Sequence, residues 1–275
     1  MTTATKPTLD TDLTGRTALV CGASQGIGLA SAVALAELGC RVTLFARDPE
    51  RLGGAQAALP AVDGAQPDQR HDIAVADFHQ PEMVLDEAKG ALERAGGAFD
   101  ILVNNTGGPP GGPIAEADGE AFLKGMTAHL VNNQNLARLV LPGMKARGYG
   151  RIVNIISTSV KCPIPGLGVS NTVRAAVAAW AKTLAGEVAQ EGVTVNSVLP
   201  GFTDTARLAS LFEGKAARQG VESKAVKDEA IASIPMGRLG TPEEVAAAVA
   251  FYCTPAAGYI TGTVLAVDGG RTPAL

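Results

Sequence analysis

Short apolar runs alternate with longer stretches of helical periodicity along nearly the whole chain. Runs rich in Val, Ile and Leu at Thr17–Cys21, Arg41–Ala46, Ile73–Ala76, Ile101–Asn104, Arg151–Ile156, Thr194–Leu199 and Val264–Val267 predict seven strands. Their near-continuous hydrophobicity is that of strands covered on both faces. Between them, Ile27–Leu38, Pro49–Leu59, Pro81–Ala95, Gly119–Arg147, Ser170–Gln190 and Thr241–Tyr252 predict helices. Strict alternation of the two predicts an α/β fold, a parallel sheet with helices on both faces. No linker divides the pattern, so one domain is expected over 13–275, behind a flexible N-terminal tail of residues 1–12. The polar, helix-prone stretch from Gly201 to Thr241 follows a late strand, and a lid-like insertion over a substrate is expected at about 203–240.

Composition narrows the class. Of 275 residues, 46% are hydrophobic and 18% charged, which excludes a disordered chain. A net charge of −4 argues against a nucleic-acid partner. The longest apolar run, Val245–Cys253, is too short for a bilayer, and the first residues lack the apolar core of a signal peptide. A cytoplasmic protein with no membrane partner is expected. Cys21, Cys40, Cys162 and Cys253 are scattered and form no C-x-x-C pair, so they read as buried reduced thiols, with no metal site.

The 33 glycines are concentrated at turns. After the first strand come Gly22, Ser24, Gln25, Gly26, Ile27 and Gly28, with a helix following at once. Gly22 permits a tight turn, Gly26 lets backbone approach a diphosphate, and Gly28 lets the helix pack close to the strand. The helix N-terminus then offers free N–H groups and a partial positive charge to phosphate. Strand, turn, helix and second strand in this order predict a dinucleotide site on a Rossmann-type doubly wound parallel sheet of about seven strands. The second strand ends at Ala46 and Arg47, where an acidic residue would favour NAD(H). Arg47 favours NADP(H) through the 2′-phosphate; the alternative is a local cap or ion pair with Asp48 or Glu50. Gln25 adds no second cation.

These motifs resemble those of the short-chain dehydrogenase/reductase superfamily, most closely its 3-oxoacyl carrier-protein reductase branch. The resemblance spans about residues 13–270. It rests on the Gly22–Gly28 turn, Ala76 and Asp77, the run Asn104 to Gly107, the strand Gly150 to Ser157, the segment Thr194 to Gly201, and Val267 to Gly270. It implies that Asp77 meets the adenine, that Asn104 supports the central strand, and that Pro200, Gly201 and Thr203 lie along the nicotinamide.

The chemistry implied by the family uses a serine, a tyrosine thirteen residues later, a lysine four further on, and an asparagine on the preceding long helix. Here the serine is Ser157, but the other positions hold Ser170, Arg174 and His129. A serine hydroxyl is far less acidic than a phenol near pKa 10. Arginine neither gives nor takes a proton at ordinary pH, but its planar fork can hold a ribose, a phosphate or an oxyanion. Ser170 and Arg174 are i, i+4 on one helix face, so both can face the pocket of Ser157. Electrostatic stabilisation of an alkoxide by Arg174 and two hydroxyls is one mechanism, with the proton from water, His129 or Lys161. Each residue has a plainer alternative. Ser170 can be an N-cap, Arg174 a surface residue, His129 a packed one and Lys161 a solvated loop lysine. Halohydrin dehalogenases share the fold and carry an arginine at the lysine position, but they keep the tyrosine and lose the glycine turn; this chain does the reverse.

The expected function is therefore an NADP(H)-dependent oxidoreductase acting on a carbonyl/alcohol pair of a small molecule with a non-standard catalytic set. The alternatives are non-redox or imine-directed chemistry on the same fold, and a catalytically silent NADP(H)-binding protein. The loop Gly107–Pro113 is expected at the ligand crevice. The helices Gly119–Arg147 and Ser170–Gln190 carry more apolar residues than one core stripe, and with the resemblance they suggest a homodimer or homotetramer.

Overall fold

The computed structural model describes residues 9–61 and 70–274. Seven parallel strands form one sheet in the order β3-β2-β1-β4-β5-β6-β7. They are β1 Thr17–Cys21, β2 Arg41–Ala46, β3 Asp72–Val75, β4 Ile101–Asn104, β5 Gly150–Ile155, β6 Val193–Pro200 and β7 Val264–Val267. Each predicted strand is present within a residue or so of its expected bounds. The strand order reverses direction at β1 and β4, which pair with Ala18 opposite Ile101 and Val20 opposite Val103. Connections leave this junction toward opposite edges, and a crevice opens between them at the carboxyl ends.

Helices cover both faces: α1 Gly26–Glu37, α2 Pro49–Ala57, α3 Pro81–Arg94, α4 Gly119–Met126, α5 Asn132–Arg147, α6 Gly168–Val188, α7 Ala206–Gln219, α8 Ser223–Ala232 and α9 Pro242–Cys253. On one face Leu35, Val42, Leu44 and Val249 meet where α1 packs on α9. On the other Val84, Phe99, Leu136 and Met144 fill the space between the sheet and helices α3 and α5. Burying side chains of that size contributes about 1.5–3 kcal/mol each. Under the sheet's amino ends, the buried Asp100 carboxylate accepts from the Thr17 amide (3.0 Å), Arg16 (3.3 Å) and Arg147 (2.9 Å).

Two expectations change. The predicted helix Gly119–Arg147 is interrupted by a π-helical turn at Thr127–Val131 that carries His129. Hydrophobic periodicity does not register one extra residue per turn. The domain begins as expected with the buried Leu13, whose amide donates to Leu38 O, and Asp10 of the expected tail also contacts it, its carbonyl accepting from the Ala256 amide. Residues 1–8 of that expected tail lie outside the described residues. Cys21, Cys40 and Cys253 are buried, and burial pushes the Cys253 thiol up to about 12, but Cys162 is exposed in the loop after β5. The stretch after β6 folds as α7 and α8, which close on their own small core of Leu208, Phe212, Val226 and Ala230.

Candidate functional site

A cleft of about 680 Å³ runs along the carboxyl ends of the strands. Its first part is built by the glycine turn. Gly22 and Gly26 have φ near +60°, a region that disfavours side chains. A Cβ on Gly28 would stand 2.2 Å from Gly22 O, so no larger residue lets α1 start here. Gln25 precedes α1 but makes no side-chain cap, and the first turn holds no acidic residue. The N–H groups of that turn are thus free for an anion. Ser24, Gln25, Gly26 and Ile27 line the cleft beside them.

Arg47 leaves the end of β2 exposed and also lines the cleft. Asp48 is engaged elsewhere: it caps α2 through the Arg51 amide (3.1 Å) and pairs with the Arg51 side chain (3.3 Å). Among the described residues Arg47 has no carboxylate partner. Arg51 also donates to Gln25 Oε1 at 3.1 Å, bringing a second cation to the turn where none was expected. Asp77 lines the cleft beyond β3, its carboxylate accepting from the His79 amide. These features fit a dinucleotide phosphate and a 2′-phosphate.

Asn104 does not reach the cleft. Its side chain donates to Asn154 Oδ1 at 2.9 Å and ties β4 to β5 inside the sheet. Its neighbour Asn105 lines the cleft instead and donates to Gly22 O at 3.3 Å. The two are adjacent on a strand end, so their side chains take opposite faces. At the far side of the junction Pro200, Gly201 and Thr203 line the cleft after β6.

Ser157, Ser170 and Arg174 also line this cleft. Ser157 ends the strand region, its hydroxyl accepting from the Ser159 amide at 3.1 Å. Helix α6 starts at Gly168 with Leu167 at its cap position, two residues earlier than predicted, so Ser170 is not the N-cap and lies within the first turn. Arg174 follows one turn later and is only 8% exposed. Its Nη1 donates to Ile155 O at 2.9 Å, and its Nε has no protein partner among the described residues. Burial, then the nearby Arg207, pushes its pKa down to about 10, which leaves it charged at neutral pH.

Sequence reading missed Arg207. It sits in the first turn of α7, lines the cleft and donates to Pro109 O. A cation in a first turn opposes the helix dipole, and that mismatch was the available signal. His129 is buried behind the cleft. Its Nδ1 lies 2.6 Å from the hydroxyl of Thr106, which does line the cleft, while Nε2 has no partner among the described residues. Burial, then the charge of Arg174, holds its pKa well below the usual histidine range, so the ring is neutral. Lys161 is outside the cleft lining.

The family model described as enoyl-(acyl carrier protein) reductase matches residues 22–272. The chain is 36% identical over 263 residues to a 3-oxoacyl-(acyl-carrier-protein) reductase of Vibrio cholerae, covering 94% of this chain and 98% of that protein. It is 34% identical over 260 residues to a tropinone reductase homolog of Arabidopsis thaliana, covering 94% and 93%. The L-sorbose reductase of Gluconobacter frateurii, solved with NADPH and L-sorbose, superposes with a TM-score of 0.88 at 31% identity, covering 97% of this chain and all of that one.

Proposed function

The chain belongs to the short-chain dehydrogenase/reductase superfamily, and from that premise we propose that it is an NADP(H)-dependent reductase of a small-molecule carbonyl that works without the family's tyrosine and lysine. The observation carrying this reading is that Ser157, Ser170 and a buried, charged Arg174 line the same cleft as the glycine turn. Bound NADPH supplies the hydride. Gly22, Gly26 and the first turn of α1 hold its diphosphate, Arg47 its 2′-phosphate, and Asp77 its adenine. Pro200, Gly201 and Thr203 flank the nicotinamide. The relatives' names, a carbonyl reductase of acyl carriers among them, and the NADPH in the sorbose reductase support this assignment.

In the reaction, Ser157 and Ser170 orient the carbonyl oxygen. Arg174 stabilises the negative charge that develops there, fixed beforehand by its hydrogen bond to Ile155 O. The proton reaches that oxygen from water in the cleft, and the neutral His129 behind Thr106 orients the Thr106 hydroxyl that borders it. Lys161 has no part in this scheme. Helix α7 acts as the lid, since Arg207, Ser210 and Leu211 border the cleft, with α8 packed against it. A cytoplasmic homo-oligomer is proposed as well. The exposed Phe251, Tyr259, Val264 and Leu265 at the β7 edge offer more apolar surface for it than the helices α4 to α6, which expose Leu123 and lie beside the exposed Val131.

The test is a fluorescence titration with NADPH and NADH, followed by a carbonyl panel on the NADPH complex. Tighter binding of NADPH and turnover of at least one ketone are expected. Failure to bind either nucleotide would sink the reading, and binding without turnover would favour a silent nucleotide-binding protein. Unchanged turnover in Ser170→Ala would remove that hydroxyl from the scheme.

A further inference from the structure

The reductase reading leaves the class of carbonyl compound open, and the following rests on that reading. Arg174 and Arg207 come from different helices yet end over one residue. The point where a Cβ on Gly108 would stand is 3.4 Å from Arg174 Nη2 and 3.5 Å from Arg207 Nη2. Two cations held so close repel, the more so because Arg174 is out of water. No carboxylate among the described residues pairs with either, and the sole acidic residue lining the cleft is Asp77, past the end of β3. Each guanidinium carries five N–H donors. Among the described residues they make one side-chain hydrogen bond each, Arg174 to Ile155 O and Arg207 to Pro109 O. The Arg174 Nε is buried with no partner among the described residues. Two planar forks with unused donors match the oxygens of a carboxylate.

We infer that the substrate is an oxo acid whose carboxylate lies directly beside, or one carbon from, the carbonyl that is reduced. The closeness of the two guanidinium ends sets this class. A carboxylate at the far end of a long chain cannot share the pair with the reacting oxygen. Arg207, at the open rim, holds the carboxylate. Arg174, deeper and beside Ser157 and Ser170, meets the carbonyl oxygen. Gly108 carries no side chain to fill the space between them. The hydride forms the new C–H bond at the carbonyl carbon, the π pair moves to oxygen, and a solvent proton completes the hydroxyl. The products are a 2- or 3-hydroxy acid and NADP+.

The experiment is calorimetric titration of the NADP+-loaded protein with phenylpyruvate and acetoacetate, and with the methyl ester of each. At least one acid is expected to bind about tenfold or more tightly than its ester, the scale of one charge-assisted contact. Arg207→Gln, a change at an exposed position, is expected to narrow that ratio below about threefold. Acids and esters that bind alike, or that both fail to bind, would overturn the inference, as would a ratio unchanged in Arg207→Gln. If Arg207→Gln weakened NADPH binding as much as acid binding, the arginine would belong to the nucleotide and the inference would fall. The reductase reading is judged separately, by NADPH binding and ketone turnover of the unaltered protein.

Discussion

The two ends of the cleft use different kinds of chemistry to hold charge. At the glycine turn the anion is met by backbone. Gly22, Gly26 and Gly28 shape a surface of N–H groups, and the side chains matter chiefly by being absent. At the far end two arginines would meet the proposed carboxylate, and the backbone serves to aim them through Ile155 O and Pro109 O. A backbone site tolerates little substitution because a single Cβ blocks it. A side-chain site can change its reagents while the scaffold stays, and the proposed scheme asks this of Ser170 and Arg174.

The sharpest way to break this contrast is Arg174→Ala. It is expected to lower kcat/KM by about a hundredfold or more, the scale of losing one preorganised donor to a developing oxyanion. NADPH affinity, read by fluorescence, should change far less. A parallel fall in both would merge the two ends into one. Next comes Gly28→Ala, whose new carbon would meet Gly22 O at 2.2 Å. A destabilisation of about 1–3 kcal/mol is expected in urea unfolding, together with loss of NADPH binding. Normal affinity would show that the turn is not the phosphate site. Arg47→Gln should weaken NADPH by about tenfold and leave NADH within about twofold, narrowing the preference to the 2′-phosphate contact.

The smallest effect concerns His129. Its folded pKa lies well below its unfolded one, so the unfolded chain binds the proton first. Its neutral burial therefore costs nothing above the unfolded value and removes stability as pH falls below about 6.5, by at most about 1.4 kcal/mol per pH unit. Unfolding followed from pH 7.5 to 5.5 should show a shallower decline in His129→Gln than in the unaltered protein. Equal slopes would show that the ring is not held neutral.

What the sequence could tell followed the same division. The sheet, the turn and its glycines were legible because backbone geometry dictates residue type: only glycine fits at φ near +60° against a neighbouring strand end. The substrate end was half legible. Spacing brought Ser157, Ser170 and Arg174 together, since they sit on one strand end and one helix face. Arg207 was invisible to spacing, because it arrives from α7, far along the chain, and approaches Arg174 over the loop at Gly108. Asn104 was read as a support of the central strand, whereas Asn105 carried no expectation until the strand's pleat assigned it to the cleft. His129 sat in an unbroken helical pattern, and its displacement by a π turn leaves no mark in hydrophobic periodicity.

The pairing of β1 with β4 has a consequence for how the chain assembles. Strands β1, β2 and β3 can associate within the first third of the sequence, but the crevice needs β4 beside β1, a contact closed across more than eighty residues. Contacts of that span form late and slowly. The first part of the chain to leave the ribosome thus carries the glycine turn but lacks the wall that Asn105 adds to it. A nucleotide can therefore rescue a destabilised variant only by mass action on the finished domain, and offers little to its early folding intermediates.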